Sequence, residues 1–402
     1  MIYSKITKKK ASYFLLFLLS LLAVTGCNKN NIEGENDAFF VLDIYCDGEI
    51  SKEKETECTF NVTSGKKHNS HNGTIKRRGG FSLLFQKHSY EINLTEKSAL
   101  CKLPKDDDWV LNANYIDKSF LRHVISYELF SAMNDNNISP KSQFVEVKLN
   151  GLYNGLYVLM EKLDKSSLKL KAADSLAFLF KEPHIFRQTY DGVSPKDSSN
   201  FHHQKFPKTA HTNHNIYIQE LRDFLLFSND IEFEKEFELI FDMKNIIDWQ
   251  LLLLISNNSD GILKNFYLYK RDNETPVRVA PWDYDHSFGR DGDSEMNQDI
   301  RPLDITRSIL FKRLMKYDWY KDALKNRWDQ LIKKDILSKR SLKKFVTVES
   351  KGLRSLAEKN FEKWPIDSEW YFDSYTYDQE IELILDFIDL RHDRLTRYFN
   401  EL

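Results

Sequence analysis

Four hard oxygen donors fall within 30 residues of one another: Asp260, Asn265, Asp283 and Asp285. They lie in the stretch D-G-I-L-K-N-F-Y-L-Y-K-R-D-N-E-T-P-V-R-V-A-P-W-D-Y-D-H-S-F-G, residues 260–289. Hard oxygens converging on one point suit magnesium, which takes one or two carboxylates, keeps several waters and binds substrate phosphates. The spacing Asp260-x4-Asn265 is not specific alone. It gains weight from the residues after it: Phe266 to Lys270 reads as a short aromatic strand, Arg271 to Glu274 as a turn, and Val277 to Ala280 as a second strand. An antiparallel hairpin sets its two ends side by side, so Asp260 and Asn265 can meet Asp283. The competing reading has Asp260 capping a turn and Trp282 to Phe288 forming an aromatic core edge with solvated acids.

The elements that must position these residues are read from periodicity. Met243 to Asn257, with Asp242 as N-cap, is a strongly apolar helix that delivers the chain to Asp260. Upstream, Phe39 to Tyr45, Glu57 to Val62, Thr74 to Arg78 and Ser89 to Leu94 read as strands. Between the last two lies R-R-G-G-F-S-L-L-F-Q-K. Its paired glycines, with Arg78 and Ser82, suit either a phosphate-cradling loop or a plain hairpin turn. Lys87 is a candidate phosphate ligand by its position at the mouth of the next strand. Asp117 to Met133 is predicted helical, with Asp117 as N-cap and Arg122 and Glu128 available for ion pairs. Phe144 to Leu149 and Gly155 to Met160 form a hairpin across Asn150-Gly151, running into Glu161-Lys162-Leu163.

These strands predict a twisted antiparallel sheet crossed by one helix. Phe178 to Lys181 is a further strand. Pro183 to Asn215 is polar and His-rich, and reads as a mobile insertion or lid over 183–215. Ile216 to Phe227 is helical. After Gly289 the chain turns helical over Leu303 to Met315, Trp319 to Ile332, Ser341 to Glu358 and Tyr377 to Phe399. The expected class is α+β: a sheet-rich N-terminal lobe over 39–163 and a mostly helical lobe over 164–402, with the chemistry where they join.

A hydrophobic fraction of 41% across 402 residues supports packed cores, and a net charge of −2 leaves no nucleic-acid footprint. Lys5 and Lys8 to Lys10 precede an apolar run, Tyr13 to Val24, too short for a good membrane span. Val24-Thr25-Gly26-Cys27 resembles the bacterial lipoprotein cleavage box. Residues 1–27 are therefore expected to be a leader, with lipidated Cys27 anchoring the chain to a membrane of the bacterial cell envelope and residues 28–38 as tether. An ordinary signal peptide or uncleaved anchor is the other reading. Beyond Cys27 stand Cys46, Cys58 and Cys101, an odd count that leaves at least one thiol free. Cys46 and Cys58 lie in adjacent strand-like runs and can pair if oxidised. No C-x-x-C spacing suggests zinc.

Taken together, the motifs resemble the CotH family of spore-coat-type atypical protein kinases. The resemblance is carried by R-G-G-F-S with Lys87-x-Ser89-Tyr90, then Leu111-x-Ala113-Asn114-x-x-Asp117-x-Ser119-x-Leu121-Arg122. It continues through Asn150-Gly151-x-Tyr153-x-Gly155-x-Tyr157-x-x-x-Glu161, Asp260-x4-Asn265 and Trp282-Asp283-x-Asp285-x-x-Phe288-Gly289. All stand in family order over about residues 40–400. The resemblance implies a diverged protein-kinase-like two-lobe fold, with an antiparallel-sheet N-lobe and a helical C-lobe, that phosphorylates proteins outside the cytoplasm or in spores. Asp260 would be the catalytic Asp, the base whose carboxylate accepts the proton of a Ser or Thr hydroxyl. Asn265 and Asp283 would hold Mg2+ or Mn2+, with Asp285 a ligand or an orienting group. ATP would be the donor, with Arg78 and Lys87 on its phosphates and Glu161 to Leu163 meeting adenine. The chain departs from the family's R-G-N-S-S loop at Gly80-Phe81. The alternative is a non-catalytic surface lipoprotein that binds glycan or protein with the same cleft.

Overall fold

The computed structural model describes residues 39–194, 197–291, 294–295, 304–368 and 371–402. The leader, Cys27 and the tether lie outside them. Seven strands open the described chain: β1 (Phe40–Cys46), β2 (Thr56–Ser64), β3 (Lys67–Arg78), β4 (Ser89–Ala99), β5 (Lys105–Asn112), β6 (Ser142–Leu149) and β7 (Leu152–Glu161). Helix α1 (Arg122–Met133) lies between β5 and β6. Period-2 alternation turns one set of side chains inward. Leu42, Ile44, Phe60, Ile75, Ile92, Trp109, Leu111, Val145, Val147, Tyr157 and Leu159 pack into a single core there.

The expected kinase-like N-lobe with an antiparallel sheet is overturned at this point. The seven strands form a closed barrel in the order β1-β2-β3-β4-β5-β7-β6. Closure comes from a parallel pairing of β1 with β6, Phe40 opposite Val145 through Ile44 opposite Leu149. The physical reason is that β1 has two edges. One pairs with β2, and the other would stay unsatisfied unless another strand covered it, and β6 does so. The molecule remains α+β overall. On the β2 side, Cys46 stands opposite Cys58, and the two form a disulfide, while Cys101 is free and buried. The β6–β7 turn has Asn150 and Gly151 both at positive φ, as an Asn-Gly hairpin requires.

The second core is helical. Beyond the barrel the chain forms β8 (Phe178–Lys181), β9 (Gln204–Phe206), α2 (Asn215–Phe227), α3 (Asp230–Ile240), α4 (Met243–Ser256), β10 (Phe266–Lys270) and β11 (Arg278–Pro281). Next come α5 (Ile309–Leu314), α6 (Asp318–Lys333), α7 (Lys339–Lys363) and α8 (Tyr377–Glu401). Helix α4 is the centre: every residue from Asn245 to Ser256 is buried, and Asp242 caps it by accepting from Asn245 N at 2.9 Å. It packs on α1, α6, α8 and β11. A small sheet, β11-β10-β8-β9, lies beside it. Barrel and helices are joined through α7, whose Asn360 Oδ1 accepts from Leu156 N at 3.1 Å.

Two local expectations change. The helix expected from Asp117 starts at Arg122, and Asp117 instead caps from outside, its Oδ2 accepting from Arg122 N at 3.1 Å. The His-rich tract is packed rather than an open lid. Its Gln204–Phe206 strand pairs with β8, and Gln204 Nε2 donates to Pro207 O and Thr212 O. His202 and His214 are buried, and burial with neighbouring positive groups pushes the His202 imidazole down to about 3. Polar composition misled here because edge-to-face contacts of His184 and Tyr190 with Phe201 supply packing.

Candidate functional site

The β10–β11 hairpin sets the site. Phe266 pairs with Pro281, so Asn265 and Trp282 are neighbours across the hairpin's open end, with Trp282 N donating to Asn265 O at 3.0 Å. Asn265 Nδ2 donates to Asp283 O at 2.8 Å, which leaves the amide oxygen as its ligand atom. Asn265 (φ 59°) and Asp283 (φ 60°) both adopt the left-handed conformation that Asn and Asp tolerate best among residues with a Cβ.

Helix α1 meets this end from the other side. His123 and Tyr127 are four residues apart and share one helix face. Tyr127 Oη accepts from Asp283 N at 3.0 Å, and His123 Nε2 lies 3.3 Å from Asp283 Oδ1. One ligand atom from each of His123, Asp283 and Asp285 lies within 4.8 Å of the other two. His123 is 1% exposed, whereas the Asp283 side chain is 51% exposed and opens to solvent.

Charge is finely set. Crowding by the surrounding protein pushes the Asp283 carboxyl up, but the His123 hydrogen bond and the charges of His123, Arg78 and Lys181 outweigh it and hold it at about 2. Asp285 is pushed up, first by burial and then by the charge of Asp283. Burial pushes the His123 imidazole down, yet Asp283 and Asp285 win and raise it. Two carboxylates this close, one of them held up, form a site that a cation would relieve. The donor set of two carboxylates, an amide oxygen and an imidazole fits a divalent metal. Arg78 and Lys181 both lie over the Trp282 ring, at 5.6 Å and 5.7 Å from its centroid.

Behind the site lies a buried ion network. Arg122 pairs with Asp117 at 2.6 Å and Glu380 at 2.7 Å, all essentially inaccessible. Arg122 Nε also donates to Ser287 O at 2.8 Å and Nη2 to Phe288 O at 3.3 Å. Glu380, on α8, is shared with Arg290. Helices α1 and α8 thereby fix the loop that comes after Asp285. Gly289 (φ 94°) lies so close to α8 that a Cβ would stand 3.3 Å from Phe387 Cβ.

The remaining sequence-derived residues sit differently. Asp260 opens a short 3-10 turn, Asp260–Ile262, with its carboxylate 32% exposed and paired with Lys264 at 2.9 Å. Lys87 is buried. Its Nζ donates to Ala113 O at 2.6 Å and to Leu156 O, and lies 4.2 Å from the Tyr157 ring centroid. Burial pushes its amine well below the ordinary lysine range. Glu161 accepts from Lys141 N at 3.0 Å at the end of β7, and Leu163 is in the helical core. Arg78 is thus the proposed phosphate contact that reaches the Asp283 hairpin. Cys27 lies outside the described residues.

Residues 75–395 match the family described as CotH kinase protein. The chain belongs to this family. It is also 27% identical over 218 residues to the inner spore coat protein H of Bacillus subtilis (strain 168). That match covers 54% of this chain and 59% of the spore coat protein, so less than two thirds of that relative is spanned. Within this CotH-family chain, sequence reasoning missed His123, Tyr127 and Lys181. The one signal for the first two was a His and a Tyr four residues apart on a predicted helix, next to the named Arg122.

Proposed function

We propose that this CotH-family protein is an envelope-anchored phosphotransferase. It would move the terminal phosphate of ATP to a Ser or Thr hydroxyl of a secreted or surface protein, using Mg2+ or Mn2+. The observation that carries the reading is the convergence of Asn265, Asp283 and Asp285 at the end of one hairpin, beside Arg78, in a member of a family described as kinases. Asn265, Asp283 and Asp285 would hold the metal, which when bound neutralises charge on the nucleotide's phosphates.

The protein's own groups do the rest. Arg78 and Lys181, both close to the Trp282 ring, place positive charge where phosphate oxygens would lie. Asp260 is exposed enough to meet a protein hydroxyl, and turning from Lys264 frees its carboxylate to take the hydroxyl's proton. The hydroxyl oxygen forms the new bond to phosphorus, the bond to the nucleotide diphosphate breaks, and the proton goes to Asp260. Arg122 holds the Ser287 and Phe288 carbonyls, which keeps Asp283 and Asp285 from swinging apart.

A location in the envelope is supported by the resemblance of Val24 to Cys27 to a lipoprotein cleavage box, and a location outside the cytoplasm by the inner spore coat for which the relative is named. Incubating the purified chain with radiolabelled ATP, Mg2+ or Mn2+ and envelope proteins tests the reading. Label stable on Ser or Thr is expected. Absence of nucleotide binding with either metal would refute it and favour the non-catalytic surface-binding alternative.

A further inference from the structure

One donor at the Asp283 site is not an oxygen. We propose that His123 is itself a metal ligand, and that the chain's cation is a first-row transition ion such as Mn2+ in preference to Mg2+. The inference rests on the reading of Asp283 and Asp285 as metal ligands.

Geometry comes first. Two ligands each about 2.1 Å from one ion stand roughly 3.0 Å apart at a right angle and roughly 4.2 Å apart when opposite. His123 Nε2 and Asp283 Oδ1 are 3.3 Å apart, close to the right-angle value. The whole His123–Asp283–Asp285 set lies within 4.8 Å, so small side-chain rotations bring it onto one ion. The ring is held for the task. It is buried on α1, its plane packed edge-on against Tyr127 at 5.8 Å between centroids. Tyr127 in turn fixes the Asp283 backbone. One helix therefore positions both the nitrogen and the carboxylate.

The rival role for His123 is a hydrogen-bond donor that only orients Asp283. That role needs the ring proton on Nε2. Without metal the proton sits on Nε2, 3.3 Å from the acceptor Asp283 Oδ1, while Nδ1 has no hydrogen-bond partner among the described residues. A metal ion would displace the Nε2 proton; no donor at Nδ1 opposes a proton there, and the neutral ring then presents its Nε2 lone pair to the same point as the two carboxylates.

Ligand chemistry then decides the ion. Mg2+ is a hard ion that prefers oxygen and sheds water reluctantly. An imidazole nitrogen raises affinity for first-row transition ions. No thiolate among the described residues is at hand to draw a softer ion: Cys46 and Cys58 are joined, and Cys101 belongs to the barrel core. An oxygen-dominated set with one imidazole suits Mn2+.

The test uses the full chain stripped of metal and titrated with MnCl2, with and without ADP. Pulsed electron paramagnetic resonance reads nitrogen directly bonded to Mn2+. One Mn2+ per chain is expected, with a 14N coupling that changes to the 15N pattern when the protein is grown on 15N-histidine. Mg2+ should displace it only in at least ~10-fold excess. His123→Asn should remove the coupling and weaken Mn2+ at least ~10-fold while leaving Mg2+ within about threefold, with the metal-free melting curve as the check on folding. Should that variant not fold, Asp285→Asn must weaken the same histidine-coupled signal. Mn2+ bound without histidine coupling, or no bound Mn2+ at all, overturns the inference. Phosphate transfer on the same preparation separates the two readings. Histidine-coupled Mn2+ without nucleotide binding sinks the kinase reading alone, and transfer with oxygen-only Mn2+ sinks this one alone.

Discussion

Arg122→Met is the most informative perturbation of the scaffold. Arg122 is fully buried, pairs with Asp117 and Glu380, and donates to two carbonyls in the loop after Asp285. Methionine keeps much of the volume and removes the charge. Glu380 would retain Arg290 as partner at 2.7 Å, whereas no other ion pair among the described residues holds Asp117. Removing one partner of a buried pair costs roughly 3–5 kcal/mol, because the other charge is left without compensation.

Equilibrium urea unfolding measures that loss, and its pH dependence tests the cause. In the wild type, burial pushes the Glu380 carboxyl up, but the Arg122 and Arg290 charges win and hold it below the ordinary value. A depressed folded-state pKa contributes stability that is present above the unfolded value and is lost as pH falls through the folded one. The variant lacks part of that contribution, so its deficit should be full at pH 7 and shrink as pH falls below about 4. Mn2+ binding should weaken as well, since the Asp285 loop loses its tether. A deficit below about 1 kcal/mol at pH 7, or one independent of pH, would refute the assignment of Arg122 as the charge that holds this loop.

Asp283→Ala should sharply weaken nucleotide binding in the presence of metal and change it little without metal, as read by calorimetric titration. Asp260→Asn should spare that binding and cut phosphate transfer by roughly two to four orders of magnitude; equal loss of both would contradict the separate roles. Cys27→Ser should move the protein to the soluble envelope fraction or leave it unprocessed, and mature protein still sedimenting with membranes would count against lipid anchoring. Gln204→Ala removes two donors and one acceptor from the His-rich tract, so it should cost about 1–3 kcal/mol and open residues 183–215 to limited proteolysis. An unchanged digestion pattern would show that Gln204 does not hold the tract.

Local order was legible in the sequence because it is set by near neighbours. The apolar helix ending at Ser256, the Asn150-Gly151 turn and the hairpin from Phe266 to Pro281 each arise from side-chain period and turn chemistry. That hairpin alone puts Asn265 against Asp283, and the β1–β2 pairing alone puts Cys46 opposite Cys58. Tertiary structure decided what lies far apart in the chain. Closure of the barrel joins Phe40 to Val145 in parallel, a pairing with no turn between the strands to announce it. Lys87, read by position as a phosphate contact, is enclosed by the Phe120 and Tyr157 rings and bonded to two carbonyls, and neither partner is near it in sequence. His123 reaches Asp283 across 160 residues because α1 packs against the end of the β10–β11 hairpin. Period and turn signals report which face of an element is buried. They do not report which distant element buries it, and the ligand set at Asp283 depends on that second choice.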